Sequence, residues 1–138
     1  MAKTLGNGRK CYISTSTSSW TPAAADWLTG EVSNSVNLNA NLVETSDKST
    51  AWQSFIAGIK GATATVTVYA DAADTKQQGI LSALVAGTTV KVYIGTLGTG
   101  GHGYAFDALV ASVDETNDNG SVASRTINLT ATGAVTVS

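Results

Sequence analysis

The stretch GATATVTVYADAADTKQQGILSALVAGTTVKVYI, residues 61–94, decides how the chain folds. Over residues 62–70 the side chains alternate, with Ala62, Ala64, Val66, Val68 and Ala70 on one face and Thr63, Thr65, Thr67 and Tyr69 on the other. A period of two marks a strand with one packed face and one polar face. The alternation stops at Asp71, where Asp71 and Asp74 offer an N-cap and a second carboxylate to the positive end of a helix. Ala73, Gln77, Ile80, Leu81 and Leu84 then recur at spacings of three and four, which predicts an apolar helix face, with Lys76, Gln78 and Ser82 outward. Gly87 suits the stop, because without a Cβ it takes a left-handed φ freely. Residues 88–94 are β-branched and aromatic and read as strand again. No other part of the chain carries a comparable helical period.

Toward the N-terminus, residues 35–44 alternate Val36, Leu38, Ala40 and Leu42 against Asn37, Asn39 and Asn41, which predicts a strand with an asparagine-lined face. Residues 45–60 break the pattern: a polar run leads into Trp52, Phe55, Ile56 and Ile59, with Gly58 and Gly61 as punctuation. The segment is too long for a tight turn and too apolar for a free linker. Earlier still, a short strand is expected over residues 10–15, then a Ser/Thr loop over 15–19 and a compact connection over 20–30 holding Trp20 and Trp27. Toward the C-terminus, residues 96–103 read as a glycine-rich loop. Residues 104–113 read as a strand apolar on both faces, and such a strand is buried on both sides or meets a neighbour. Asn119-Gly120 signals a hairpin, residues 121–132 a last long strand and 133–138 a strand-like tail. The expected class is all-β, two packed antiparallel sheets in a sandwich or barrel with one flanking α-helix.

The 138 residues suffice for one domain with a real core, residues 1–138, and are too few for two. Apolar residues make up 43% and charged residues 13%, so the chain is neither disordered nor a solvated charged bundle. So little charge on a small domain implies that much of its surface meets other protein. A net charge of -2 without basic clusters argues against a nucleic-acid clamp. Cys11 is the one cysteine and has no internal partner for a disulfide. The start does not resemble a signal peptide, and no apolar run approaches the roughly 20 residues that span a bilayer, so cytoplasmic synthesis and no membrane role are expected.

Several patches imitate chemistry. Gly98, Gly100 and Gly103 satisfy a dinucleotide-binding spacing, but a strand follows where a helix should open, so a loop is the better reading. The run from Glu115 to Gly120 shares features with a calcium loop, yet begins with Glu and has Thr126 where a bidentate glutamate belongs. His102 is the one histidine, with no carboxylate or cysteine near it in sequence. Cys11 becomes a nucleophile only if His102 and an orienting group converge on it, and a small buried hydrophobe is the simpler identity. Asn128-Leu-Thr130 is a glycosylation sequon by pattern only. No catalytic residue, cofactor site or metal set is expected.

The order of these elements resembles a known family. It comprises a strand ending in Val43-Glu44-Thr45 and followed by Asp47 and Lys48, the 52–61 segment, the alternating 62–69 strand, the Asp-capped helix with Gln77, Ile80, Leu81, Leu84 and Gly87, the 89–94 strand, and the closing pattern from Ser124 through Gly133. Over roughly residues 36–135 the chain is similar to the major tail protein, or tail tube protein, of long-tailed bacteriophages. That resemblance implies a subunit of two packed antiparallel sheets and a flanking helix. Six copies close a ring whose inner sheets join into one barrel, and rings stack into a tube through which genome DNA leaves the capsid. Implied partners are further copies of the chain and the tail terminator, tape measure and distal tail proteins, and the implied location is the virion tail.

The physics of the strands agrees with such an assembly. A monomeric sandwich blunts its edges with proline, charge or cover, and this chain has one proline, Pro22, and few strand charges. Ring closure satisfies open edges by adding strands across subunits. A channel lysine would occur six times in a six-fold ring, comparable to the roughly 6–10 phosphate contacts of a salt-sensitive DNA grip. Neutral lumen residues are therefore expected, either Asn37, Asn39 and Asn41 or the threonines of the 62–69 strand, with Lys91 and Arg125 pointing elsewhere. The resemblance places ring-to-ring stacking on the 45–60 segment, with Glu44, Asp47, Lys48, Trp52, Phe55 and Ile56 as candidates. Those apolar side chains either wait for assembly or cap the subunit's own core. A β-sandwich adhesion or spike module binding a receptor or glycan is the alternative class, and a small hydrolase is weaker because no triad, metal set or carboxylate pair stands out.

Overall fold

A computed structural model describes residues 9–15, 20–49, 51–71, 73–97 and 101–137. Its strands are β1 (Lys10–Ser14), β2 (Glu31–Glu44), β3 (Phe55–Tyr69), β4 (Thr89–Gly95), β5 (Gly103–Thr116), β6 (Ser124–Ala131) and β7 (Thr136–Val137), with one helix, α1 (Thr75–Ala86), between β3 and β4. The strands hydrogen-bond in the order β1-β4-β5-β6-β3-β2, every pairing antiparallel, and β7 adds to the start of β5. The two expected layers are thus halves of one sheet joined through β5, which pairs with β4 over residues 103–109 and with β6 from Ala108 onward.

The sheet rolls until its two outermost strands meet. The Cys11 amide donates to Glu31 Oε1 at 2.9 Å, and Asn34 Nδ2 donates to the Arg9 carbonyl at 3.0 Å. Side chains close this seam where a barrel would carry a ladder. Inside lie Val66, Val68, Ile127 and Leu129 from one half and Ile13, Val90, Val92 and Phe106 from the other, with Ile80 and Ala83 of α1 in the same buried cluster. Each fully buried aliphatic contributes about 1.5–3 kcal/mol, and together they oppose the chain entropy of about 1–2 kcal/mol per ordered residue.

Several boundaries differ from expectation for identifiable reasons. The helix cap is Asp74, whose Oδ1 accepts the Lys76 amide at 3.0 Å; Asp71 instead turns the backbone by accepting from Ala73 at 2.9 Å, which leaves Ala73 exposed outside the helix. Gly87 ends α1 at φ 73°, and its N–H returns to the Ala83 carbonyl at 2.8 Å. Gln77, buried to 1% exposure, ties the helix to both neighbouring strand ends. Its Nε2 donates to the carbonyls of Tyr69 (2.9 Å) and Thr29 (3.4 Å), and its Oε1 accepts from the Asp71 amide (3.0 Å) and Arg125 Nη1 (2.7 Å).

The 20–30 connection is held by its tryptophans. Trp20 Nε1 donates to Asp26 Oδ2 at 3.0 Å, Trp27 Nε1 donates to Glu31 Oε1 at 3.0 Å, and Lys10 Nζ stands 4.6 Å over the Trp27 ring. Lys76 crosses from α1 to Asp26 at 3.1 Å. Burial pushes the Asp26 carboxyl up, but the bonds from Trp20, Lys76 and Ala23 outweigh it and hold the group below its usual range. Asn119-Gly120 sits in a seven-residue connection, 117–123, and is not a two-residue hairpin. β5 buries Phe106, Ala108 and Val110 but exposes Asp107 and Leu109, so within the subunit it packs on one face only. Of the 96–103 loop, residues 98–100 lie outside the described residues; Thr96 N–H donates to the His102 carbonyl at 2.9 Å across its base.

Candidate assembly surfaces

The β2–β3 hairpin outgrows the core. Its partners register from Val36↔Ala64 out to Glu44↔Phe55, and of the described residues from Asn37 to Gly61 every one is exposed except the half-buried Ser46. What the sequence suggests is an irregular segment over 45–60 is a short tip, residues 45–54, followed by the first six residues of β3. The alternation is hidden by a bulge: pairing passes from Ala40↔Lys60 to Leu42↔Ala57, so two β3 residues, Gly58 and Ile59, stand opposite Asn41 alone. A Cβ on Gly58 would lie 2.8 Å from the Asn41 carbonyl oxygen, which explains the glycine.

Beyond the bulge, directly paired residues share a face, so Leu42 lies with Ala57, Val43 with Ile56 and Glu44 with Phe55. Both faces of the arm are therefore apolar. Trp52 at the tip and Ile59 at the bulge are each 86% exposed, and Phe55 and Ile56 are at least half exposed on opposite faces. None of Trp52, Phe55 and Ile56 caps the subunit's own core. The tip is nonetheless ordered: Thr45 N–H donates to the Ser54 carbonyl at 2.8 Å, Ser54 N–H to Ser46 Oγ at 2.6 Å, and Ser49 N–H to Asp47 Oδ1 at 2.9 Å. Glu44 ends β2, and Lys48 is exposed on the tip. The structure thus gathers all six stacking candidates on one arm without giving them one face. Sequence reading missed Leu42 and Val43 as exposed partners, because alternating apolar residues normally signal a core.

A second surface emerges from register. Asn37 pairs with Thr63 and Thr63 with Thr130; Ser35 pairs with Thr65, Thr65 with Asn128 and Asn128 with Ser112; Ser33 pairs with Thr67, Thr67 with Thr126 and Thr126 with Asp114. The asparagines and the threonines, alternatives in the sequence, belong to one face. Asn39 joins it, with its Oδ1 beside Gly61, whereas Asn41 leaves the regular rows at the bulge. Thr65 Oγ1 donates to Asn128 Oδ1 at 3.1 Å, and Asn128 Nδ2 donates to Ser112 Oγ at 2.8 Å. These three rows hold hydroxyls, amides and one carboxylate, Asp114, and no lysine or arginine. Lys91 is paired with Asp107 at 3.2 Å, and Arg125, 11% exposed, is held by Glu115 at 2.7 Å as well as by Gln77.

A third feature is a groove of about 670 Å³ beside the seam, lined by Arg9, Lys10, Trp27, Asn34, Ile94 and Tyr104 among others. Among the described residues no cluster of three or more His, Cys, Asp or Glu could hold a metal, and no helix is long and apolar enough to cross a membrane. Cys11 is fully buried; burial first, and then the Glu31 charge, push its thiol well above the ordinary range, so it stays protonated and a poor nucleophile.

Solved structures share this architecture. The chain is similar to one in the tail of an empty gene transfer agent particle with helical, C6 symmetry, at 15% identity over 99% of each chain and a TM-score of 0.80. It is similar to a chain of the native gene transfer agent virion, at 13% identity over 99% of each chain and a TM-score of 0.76. It is also similar to the SPP1 tail tube, at 13% identity and a TM-score of 0.75, covering 94% of this chain and 76% of the other. No family model and no curated protein matches the sequence. Identities this low speak for the fold alone, and the fold is that of phage tail tube proteins.

Proposed function

We propose that this chain is a structural virion protein, not an enzyme, whose copies close into hexameric rings and stack into the tail tube that conducts genome DNA out of the capsid. The observation that carries the reading is the β2–β3 arm, a tail-tube-fold feature with apolar side chains on both faces and no cover within the subunit. A monomer rarely leaves so much contiguous apolar surface to water. The arm stacks one ring on the next, with Glu44, Asp47, Lys48, Trp52, Phe55 and Ile56 at the contact.

The hydroxyl and amide face of β2, β3, β6 and β5 lines the lumen. Its support is chemical: those rows offer phosphates no cation, and Lys91 and Arg125 are engaged elsewhere. DNA then passes without the counterion release that makes basic surfaces adhesive. Further partners are the tail terminator, tape measure and distal tail proteins, and the protein resides in the virion tail after synthesis in the host cytoplasm.

Negative-stain microscopy of the purified protein at rising concentration tests this directly. Hollow tubes or rings are expected, and a map of them should place Asn37 and Thr63 at the channel wall. Stable monomers that bind a receptor or glycan would instead favour an adhesion module, and a channel lined by Lys91 or Arg125 would refute the lumen assignment.

A further inference from the structure

We infer that the seam between neighbouring copies in the ring joins the free edge of β2 in one copy to the free distal edge of β5 in the next. The inference rests on the tube reading and names the surfaces it would use. Among the described residues β2 pairs with β3 alone, so its other edge is open. On β5, β4 covers residues 103–109 only; from Val110 to Thr116 the strand has β6 on one side and no strand on the other. The layer β2-β3-β6-β5 is therefore bounded by two unpaired edges at opposite margins, the kind of edge that recruits another strand.

Strand parity makes these edges compatible. The layer has four strands, each antiparallel to the next, so its two margin strands run in opposite directions. A copy rotated about an axis along the strands brings its β2 beside the first copy's β5 in antiparallel sense, and the pattern continues without a break. A layer with an odd number of strands would force a parallel joint at every seam. Pairing β2 with β2 about a two-fold axis would close a dimer and leave both β5 edges open.

Level and charge agree with this joint. Ser33, Thr67, Thr126 and Asp114 stand in one row across the layer, so rotation without a large shift brings Asp114 to the start of a neighbour's β2. Arg9 and Lys10 line the groove at that point, and Asp118 follows on the loop after β5. The polar face also crosses such a joint unbroken, from Ser112 to Ser35.

Cysteine cross-linking tests the seam. Chains carrying Ser112→Cys are mixed with chains carrying Ser33→Cys, Ser35→Cys or Asn37→Cys, three levels that allow for strand stagger, then assembled, oxidised, alkylated and run without reductant. At least one mixture should give a dimer that neither chain gives alone. Arg9→Glu with Lys10→Glu should raise the concentration needed for rings at least tenfold, and Asp114→Lys with Asp118→Lys should restore it. Tubes that form normally but cross-link at none of the three levels would overturn the seam and leave the tube reading standing, as would Ser35→Cys chains that cross-link to themselves. A protein that never assembles would overturn both.

Discussion

The doubly substituted chain Trp52→Ala, Ile56→Asp is expected to fold normally and form no tubes. Each fully buried Trp or Ile contributes about 1.5–3 kcal/mol when it leaves water. Trp52, Phe55, Ile56 and Ile59 together offer roughly 6–12 kcal/mol per copy, the same order as the estimated cost of about 4–15 kcal/mol for immobilising a partner. The arm contact alone is close to break-even, so its loss is not absorbed by a surplus. Removing two of the four takes away at least about 3 kcal/mol per contact, and the new carboxylate adds a desolvation cost; since every 1.4 kcal/mol is tenfold, the critical concentration rises more than 100-fold.

The same residues are 86% and 57% exposed in the subunit, so its melting temperature should hardly move. Sedimentation and thermal unfolding separate the two effects. Normal tubes from this variant would remove the arm from the stacking contact, whereas a collapsed melting temperature would mean the arm belongs to the subunit's own core.

The central strand–helix–strand was legible because each signal there is local: a period of two in β3, a period near 3.6 in α1, and a glycine stop at Gly87. The arm was half legible. Trp52, Phe55 and Ile56 stood out by composition, but one extra residue at Gly58–Ile59 shifts the phase of β3, and no reading of a regular period survives such a shift. The cap moved from Asp71 to Asp74 because both carboxylates fit the signal, and the choice between them follows from Gln77, whose amide oxygen holds the Asp71 N–H at the end of β3.

Long-range register was beyond reach of one sequence. That Asn37 and Thr63 face the same way depends on which residue of β2 meets which of β3, and that is set by the packing of Val36, Ala64 and Leu129 on the far side. The open edges followed from composition, with one proline and few strand charges; their identity as β2 and distal β5 required the strand order.

Gln77→Leu is expected to cost about 3–5 kcal/mol of stability, the largest single-residue effect in the subunit outside the aliphatic core. Leucine fills nearly the same volume, so the loss is polar: the Tyr69 carbonyl, the Asp71 amide and Arg125 Nη1 each lose a partner at a buried site. A buried group left unpaired costs about 1–3 kcal/mol, more where the group is charged, and Arg125 keeps only Glu115. At roughly 3–5 °C per kcal/mol for a domain of this size, the melting temperature should fall by about 10–20 °C. Gln77→Glu keeps an acceptor for Asp71 and Arg125 but sets a carboxylate against the Tyr69 carbonyl, so its cost should lie between that of leucine and zero. Ser82→Ala on the exposed side of the same helix should change stability by no more than about 0.5 kcal/mol. Urea unfolding of the three variants checks the order, and a leucine variant as stable as the parent would mean that the joint between α1, β3 and β6 is held by apolar packing and not by this amide.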